Sequence, residues 1–192
     1  GNTFLNAKDV AVKLSLKNLV NLKKQNYKSL HLKNFEINFN LENLKNYRDV
    51  FSKNINFLPV FFTNGKATFF DGKNYVSTID DVNLDLELSK DHTEGILKGN
   101  FLNDNLYVNL SSKKIDNKKS TDVILKMSGL NLLTKVNFFK SLNDGETDIN
   151  GNILIKKSKN VITAIFDYND KELKIIKSNL KNAFTEGELK GK

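Results

Sequence analysis

The side chains in this sequence that could do chemistry are few, and their spacing argues against it. Histidine occurs twice, at His31 and His92. An imidazole acting as a zinc ligand or general base needs companions, a second His, a Cys or a carboxylate, held within reach. Neither histidine has a His or Cys at metal-ligand spacing, and the chain has no cysteine. His31, in a predicted strand, and His92, in a predicted turn, therefore read as structural or incidental. Asp80-Asp81 is an adjacent acid pair. Consecutive residues of a strand or turn point to different sides, so these carboxyls are not arranged to share a proton, and shaping the turn before Val82 is the simpler role. Ser111-Ser112-Lys113-Lys114 contains a Ser-x-x-Lys, but it lacks the companion motifs of the penicillin-recognising enzymes and lies in a predicted loop, not at a helix start. Gly187-Glu188-Leu189-Lys190-Gly191-Lys192 is one residue short of a phosphate-binding loop, with nothing after it to form the required helix. Asn109-Leu110-Ser111 is a glycosylation sequon of the kind an Asn-rich chain supplies by chance. The chain reads as a non-enzyme with no cofactor and no metal site.

Composition narrows the classes further. A chain of 192 residues is one domain of ordinary size, with ample length for a core. The single proline is Pro59, and no Ser/Gly-rich or charged run divides the sequence. A formal charge of +8 invites a nucleic-acid reading. The distribution opposes it: Arg48 is the only arginine, and the lysines alternate with acids and apolar residues. Arginine is the favoured residue for bidentate phosphate and base contacts, so a Lys/Asn compositional bias accounts for the charge and no nucleic-acid partner is expected. The absence of cysteine excludes a disulfide framework and fits a periplasmic protein. No apolar run approaches the roughly 18 to 20 residues that cross a bilayer, and no signal peptide is present. The chain begins at Gly1 without an initiator Met, which reads as a tag scar or a segment cut from a longer polypeptide.

The elements are mainly strands. Val82-Asn83-Leu84-Asp85-Leu86-Glu87-Leu88 sets four apolar side chains one way and three polar ones the other, the period-2 signature of a half-buried strand. Leu97 to Phe101 and Leu106 to Leu110 repeat it across Asn103-Asp104-Asn105, which suits a hairpin turn. Upstream, Phe61-Phe62-Thr63 and Lys66 to Phe70 flank Asn64-Gly65, read as a turn, and Asp71 to Asn74 makes the next turn before Tyr75 to Ile79. These segments predict an antiparallel meander.

In chain order, Val10 to Leu16 alternates as the first strand, and Leu19 to Gln25 turns polar. Leu30-His31-Leu32 and Phe35 to Leu41 alternate out of phase, which predicts a bulge or bend at Lys33-Asn34 in preference to a turn. Leu44, Tyr47, Val50 and Phe51 share one helical face, predicting a short amphipathic helix over 42–53 that caps an open end of the sheet. The lysine-rich stretch from Ser112 to Thr121 predicts an exposed loop, and Val123 to Met127 the next strand. Leu132, Val136 and Phe139, with Leu133 and Leu142 nearby, are spaced as a second short helix ending before Asn143-Asp144-Gly145. Thr147 to Ile155 resumes alternation, Val161 to Tyr168 and Glu172 to Ile176 pair across Asn169-Asp170, and Lys181 to Lys192 frays or adds a weak strand. The layout is mostly β, about nine to eleven strands with two short helices, and no strand-helix alternation suggests a parallel sheet. Such a sheet must cover its apolar face with a second sheet, close into a barrel, curl into a groove or bind something apolar. The composition, 14 Phe and no Trp, suits either a dry core or acyl chains.

The order of these elements resembles a known family. An apolar strand with Asn64-Gly65, the turn Phe69-Phe70-Asp71-Gly72, a strand through Thr78-Ile79-Asp80-Asp81-Val82-Asn83-Leu84, and then Gly95-Ile96-Leu97-Lys98-Gly99-Asn100-Phe101 is similar to the repeated module of the AsmA family, envelope proteins of diderm bacteria. The resemblance covers roughly half the chain, and Lys126-Met127-Ser128-Gly129-Leu130 and Ile149-Asn150-Gly151-Asn152-Ile153 fit its continuation. It implies an elongated, curved, groove-like antiparallel sheet, in one AsmA-like β-rich domain over 1–192. It further implies a periplasmic segment of an inner-membrane-anchored protein, handling phospholipid between membranes during outer membrane biogenesis.

The partners so implied are phospholipid acyl chains, adjacent modules of the same protein, and the inner membrane through an anchor outside this segment. A groove of Leu, Val, Ile and Phe would hold acyl chains by apolar burial, about 0.8 kcal/mol per CH2. Candidate lining positions are Phe35, Ile37 and Phe39, then Val82, Leu84, Leu86 and Leu88, then Leu97 and Phe101. They continue with Leu106, Val108 and Leu110, with Val123, Leu125 and Met127, and with Ile149 and Ile153. For any single one of them, ordinary core is the simpler reading. The alternative function is a structural or adhesive β-module that stacks its edge strands on neighbouring modules and carries no lipid; the N-terminal strand, Val10 to Leu16, reads as unprotected, which favours continuation into further repeats.

Overall fold

Alternating sequence becomes strand nearly everywhere in the computed structural model, which describes residues 4–14, 27–44, 46–47, 59–89, 91–141, 148–169, 172–182 and 186–187. The chain packs as two units, Gly1–Asn103 and Asp104–Lys192. In the first, β1 (Leu5–Leu14), β2 (Tyr27–Asn40), β3 (Val60–Asp71), β4 (Asn74–Leu88) and β5 (His92–Phe101) pair in chain order. All neighbours are antiparallel except β2 and β3, which are parallel. This corrects the expectation of a purely antiparallel meander. A parallel pair needs a crossover of a dozen or more residues, and the segment between Asn40 and Val60 is long enough to supply it.

Two expected breaks are continuous strand. Asn64-Gly65 is no turn: β3 runs straight through it, with Asn64 in the left-handed region at φ 54°. At Lys33-Asn34 the strand bends, Asn34 taking φ 50° while pairing with β1 keeps one register on both sides. Asp81 does the same in β4, at φ 52° beside a register shift, so the predicted turn before Val82 is a bulge inside a strand. One left-handed residue puts positions i and i+3 on the same face, and Asn and Asp tolerate it best among residues with a side chain. Their side chains also bond laterally. Asn34 Nδ2 donates to Asp9 Oδ2 at 2.8 Å, Asn64 Nδ2 donates to Asn34 Oδ1, the Asn64 N–H donates to Asn83 Oδ1 at 3.3 Å, and Asn83 Nδ2 donates to the Asp81 carbonyl at 3.0 Å. Four strands thus change phase together along one polar seam.

The core of this unit is Phe35, Ile37, Ala67 and Val82, with Leu5, Ala7, Phe39, Phe62, Phe69, Ile79, Leu84 and Leu97 packed around it. Gly65 makes this packing possible. A Cβ there would stand 2.1 Å from Phe35 Cε1, so the ring lies across bare backbone. At one end Phe39 stacks on Phe69 and meets Phe4 and Tyr47 edge-on. The Asn40 N–H donates to Tyr47 Oη at 3.2 Å.

The second unit pairs β6 (Asp104–Ile115), β7 (Lys118–Met127), β8 (Leu132–Ser141), β9 (Ile149–Lys157), β10 (Asn160–Tyr168), β11 (Leu173–Lys181) and the short β12 (Glu186–Gly187), each antiparallel to the next. The lysine-rich stretch is not a loop. It closes the β6–β7 hairpin at Asp116-Asn117, with Asp116 at φ 51°.

Neither expected helix stands as such among the described residues: the second is a strand, and of 42–53 only a 3-10 turn and the start of a helical stretch are described. Leu41–Asn43 is a 3-10 turn capped by Asn40, whose side chain accepts from the Glu42 N–H, and helical backbone runs on to Leu44, Asn46 and Tyr47; residues 48–53 lie outside the described residues, as do 15–26, 142–147 and 188–192. The second expected helix is β8, bonded on both sides. Its apolar residues fall on both faces, Leu133 and Phe139 on one and Leu132, Val136 and Phe138 on the other, which blurs the period-2 pattern.

Candidate functional site: the apolar sheet faces

Residues directly opposite on neighbouring strands share a face, so the registers sort every side chain. In the first unit Leu32 lies opposite Phe62, Phe62 opposite Leu84 and Leu84 opposite Leu97. The next rows are Ile37, Ala67 and Ile79, and then Phe39 and Phe69. All are apolar and on one face. The other face carries Lys33, Glu36, Lys66, Asp80, Asp85, Glu94 and Lys98, with His31 and Phe61.

In the second unit Leu110, Val123, Val136, Ile153 and Ala164 form one row and Val108, Leu125, Thr134, Ile155 and Ile162 the next. Beside them runs Ser112, Thr121, Phe138, Gly151 and Phe166. Ser112 Oγ and Thr121 Oγ1 are bonded at 3.0 Å, which satisfies two buried hydroxyls inside the apolar field. A Cβ at Gly151 would stand 2.7 Å from Phe138 Cβ and 2.9 Å from Phe166 Cζ, so two rings again close over a glycine.

Every candidate lining position lies on the apolar face of its unit. They divide by burial: Phe35, Ile37, Val82, Leu106 and Met127 are buried and belong to the core. Phe39, Leu84, Leu86, Leu88, Leu97, Phe101, Val108, Leu110, Val123, Leu125, Ile149 and Ile153 keep part of their surface in solvent. Sequence reading missed Phe62 and Phe69 because an assumed turn at Asn64-Gly65 misphased β3, missed Ile79 because an assumed turn before Val82 split β4, and missed Val136 and Phe138 by placing them on a helix. Small side chains make a dip in the second unit, where Ala164 lies opposite Ser178. A cleft of about 490 Å3 runs there, bounded by Ile153, Ala164, Ile165 and Ser178.

The side chains weighed for chemistry are held by structural contacts. His31 stacks on Phe61 with ring centroids 4.8 Å apart, and its Nε2 lies 2.9 Å from Ser29 Oγ. His92 opens β5 instead of lying in a turn, 3.1 Å from Glu94 Oε1. Asp80 pairs with Lys66 at 3.5 Å on an exposed face. Ser111 and Lys114 point to opposite faces of β6, which removes the Ser-x-x-Lys pairing. Asn109 sits within β6. No cluster of three His, Cys, Asp or Glu able to hold a metal occurs among the described residues.

Asp104 is the carboxylate with a defined job. It accepts the Gly129 N–H at 2.8 Å and the Leu130 N–H at 2.9 Å, closing the β7–β8 turn, and these bonds lower its pKa below the ordinary aspartate value. A depressed folded-state pKa stabilises above the ordinary carboxylate range and loses that effect as pH falls through the folded value. Asp104→Asn is therefore expected to lower the thermal midpoint at neutral pH. The difference from wild type should shrink on acidification and vanish below the folded pKa of Asp104. A midpoint difference that stays constant in a pH series would mean the charge plays no part.

What these features define is a class: open, strand-built sheets with one continuous apolar face per unit and no assembled centre for covalent chemistry among the described residues. No protein-family model, curated protein or solved structure matches the chain.

Proposed function

We propose that this protein is a non-enzymatic lipid-handling module of the AsmA-like kind, its apolar faces forming part of an elongated, curved groove that receives phospholipid acyl chains. The observation that carries the reading is the run of partly exposed Leu, Val and Ile side chains along one face of each unit, Val108, Leu110, Val123, Leu125 and Ile153 among them. Core residues should be shielded, whereas a lining must meet its ligand. On this reading the protein works in the periplasm of a diderm bacterium, anchored to the inner membrane by a part of the polypeptide outside this segment. There it carries lipid toward the outer membrane together with adjacent modules.

The test is native mass spectrometry of the purified chain, followed by organic extraction. Phospholipid is expected at reproducible stoichiometry. Leu125→Asp should abolish its uptake while the far-ultraviolet dichroism stays that of a sheet, since a half-exposed carboxylate keeps its hydration. A clean apo mass, with no uptake from vesicles, would overturn the reading.

The alternative, a structural β-module docking protein by its edge, is favoured by β1. That strand pairs only with β2 among the described residues, and Val10 and Val12 are 60% and 46% exposed. A concentration-dependent mass without bound lipid would support it.

A further inference from the structure

At one end of the apolar face of the second unit three lysines stand in a row, which Ile149 and Tyr168 continue. Lys114 lies directly opposite Lys119, and Lys119 directly opposite Lys140, one row beyond Ser112, Thr121 and Phe138 and on the same face as Leu110, Val123 and Val136. Like charges placed directly opposite on neighbouring strands repel. None of the three makes an ion pair with an acid of the described residues. Lys119 and Lys140 are half-buried, as lysines are when the stem covers apolar surface and the ammonium group stays in water. From Ser112 to Leu106 the apolar strip runs about 20 Å at the rise of a strand, longer than the roughly 15 Å of hydrocarbon in one bilayer leaflet. Charge at one end and an acyl-length apolar strip behind it match one kind of molecule.

Resting on the groove reading above, we propose that Lys114, Lys119 and Lys140 form a headgroup site that makes the second unit selective for anionic phospholipid over zwitterionic phospholipid. The ammonium groups bind the phosphate and its uncompensated charge, while the acyl chains lie over Leu110, Val123 and Leu125. A phosphocholine brings its own cation to the same rim and loses the advantage.

The purified chain is incubated with vesicles of phosphatidylglycerol or of phosphatidylcholine with the same acyl chains. Vesicles are removed by flotation in high salt, which screens adsorption of a basic protein to an anionic surface, and retained lipid phosphorus is measured. Wild-type protein is expected to retain phosphatidylglycerol at least about fivefold over phosphatidylcholine. In K114Q/K119Q/K140Q the ratio should fall to near one with phosphatidylcholine uptake unchanged. K113Q/K135Q/K156Q, with the same charge change on the opposite face, should keep the preference. Equal retention of the two lipids by wild type, or equal loss in both triple variants, overturns the lysine site and leaves the groove standing. Retention of neither lipid overturns both.

Discussion

Val82→Asp is expected to unfold the first unit at neutral pH. Val82 is 2% exposed, in the cluster with Phe35, Ile37 and Ala67, and Gly65 lies directly opposite it on β3. An unpaired carboxylate there either loses its hydration or takes up a proton against a pKa raised by burial, and both routes are costly. Substitutions of this kind stand in the tail of measured effects, at about 4 to 5 kcal/mol or more, against a total stability of about 5 to 15 kcal/mol for a domain. The signature is lost sheet dichroism, or a urea midpoint far below wild type. Because burial raises the folded-state pKa, the loss relative to wild type at the same pH should be smallest in acid, where the carboxyl is neutral in both states, and should grow as pH rises. Leu86→Asp is the contrast. Leu86 lies on the same face but is only half-buried, so that variant should stay folded. If both variants unfold alike, the face is closed core throughout and cannot serve as a lining.

How much of this was legible in the sequence depends on what each residue does to the alternation. Val82 to Leu88 and Leu106 to Leu110 alternate cleanly, and their strands and faces follow directly. So does the hairpin across Asn169-Asp170, where Asn169 and Glu172 exchange backbone bonds. Asn64-Gly65 misled because the same dipeptide that closes a hairpin can also carry a left-handed kink inside a strand, and only the neighbouring strand decides between them. Asn64 stands beside Asn34, and the parallel pairing of β2 with β3 gives both kinks a shared position. That pairing is non-local, and no window of local sequence contains it. β8 was hidden differently, by apolar residues on both of its faces.

The lysines teach a related lesson. Read along the chain, Lys113, Lys114, Lys118 and Lys119 are a solvated run, and a loop is the natural reading. Folded as a hairpin, Lys114 and Lys119 come to one face and Lys113 to the other. Lys140, distant in sequence, then joins the first pair through β8. The cross-strand row proposed as a headgroup site is thus made by the pairing of β6, β7 and β8 and not by the run itself.

The second large effect is expected at Gly65. Its missing side chain is occupied by the Phe35 ring, three of whose atoms would lie 2.1 to 2.3 Å from an added Cβ. Phe35 is 1% exposed and touches Phe62 at a centroid distance of 5.1 Å, so the ring has nowhere to withdraw. Gly65→Ala should thus destabilise by about 1 to 3 kcal/mol, although glycine in a strand is ordinarily worse than alanine by roughly 0.5 to 1 kcal/mol. Phe35→Ala removes the ring and leaves a cavity, at about 3 to 5 kcal/mol. The two changes should not add. With the ring gone, the new Cβ enters vacated space, so Gly65→Ala in the Phe35→Ala background should become neutral or stabilising, a coupling of up to about 3 kcal/mol for residues in contact. Urea titrations of the four proteins measure it. Additive losses would mean that the ring does not lie over Gly65. The phase change at Asn34 and Asn64, which brings Phe35 onto the face of Leu32, would then no longer account for the buried centre of the first unit.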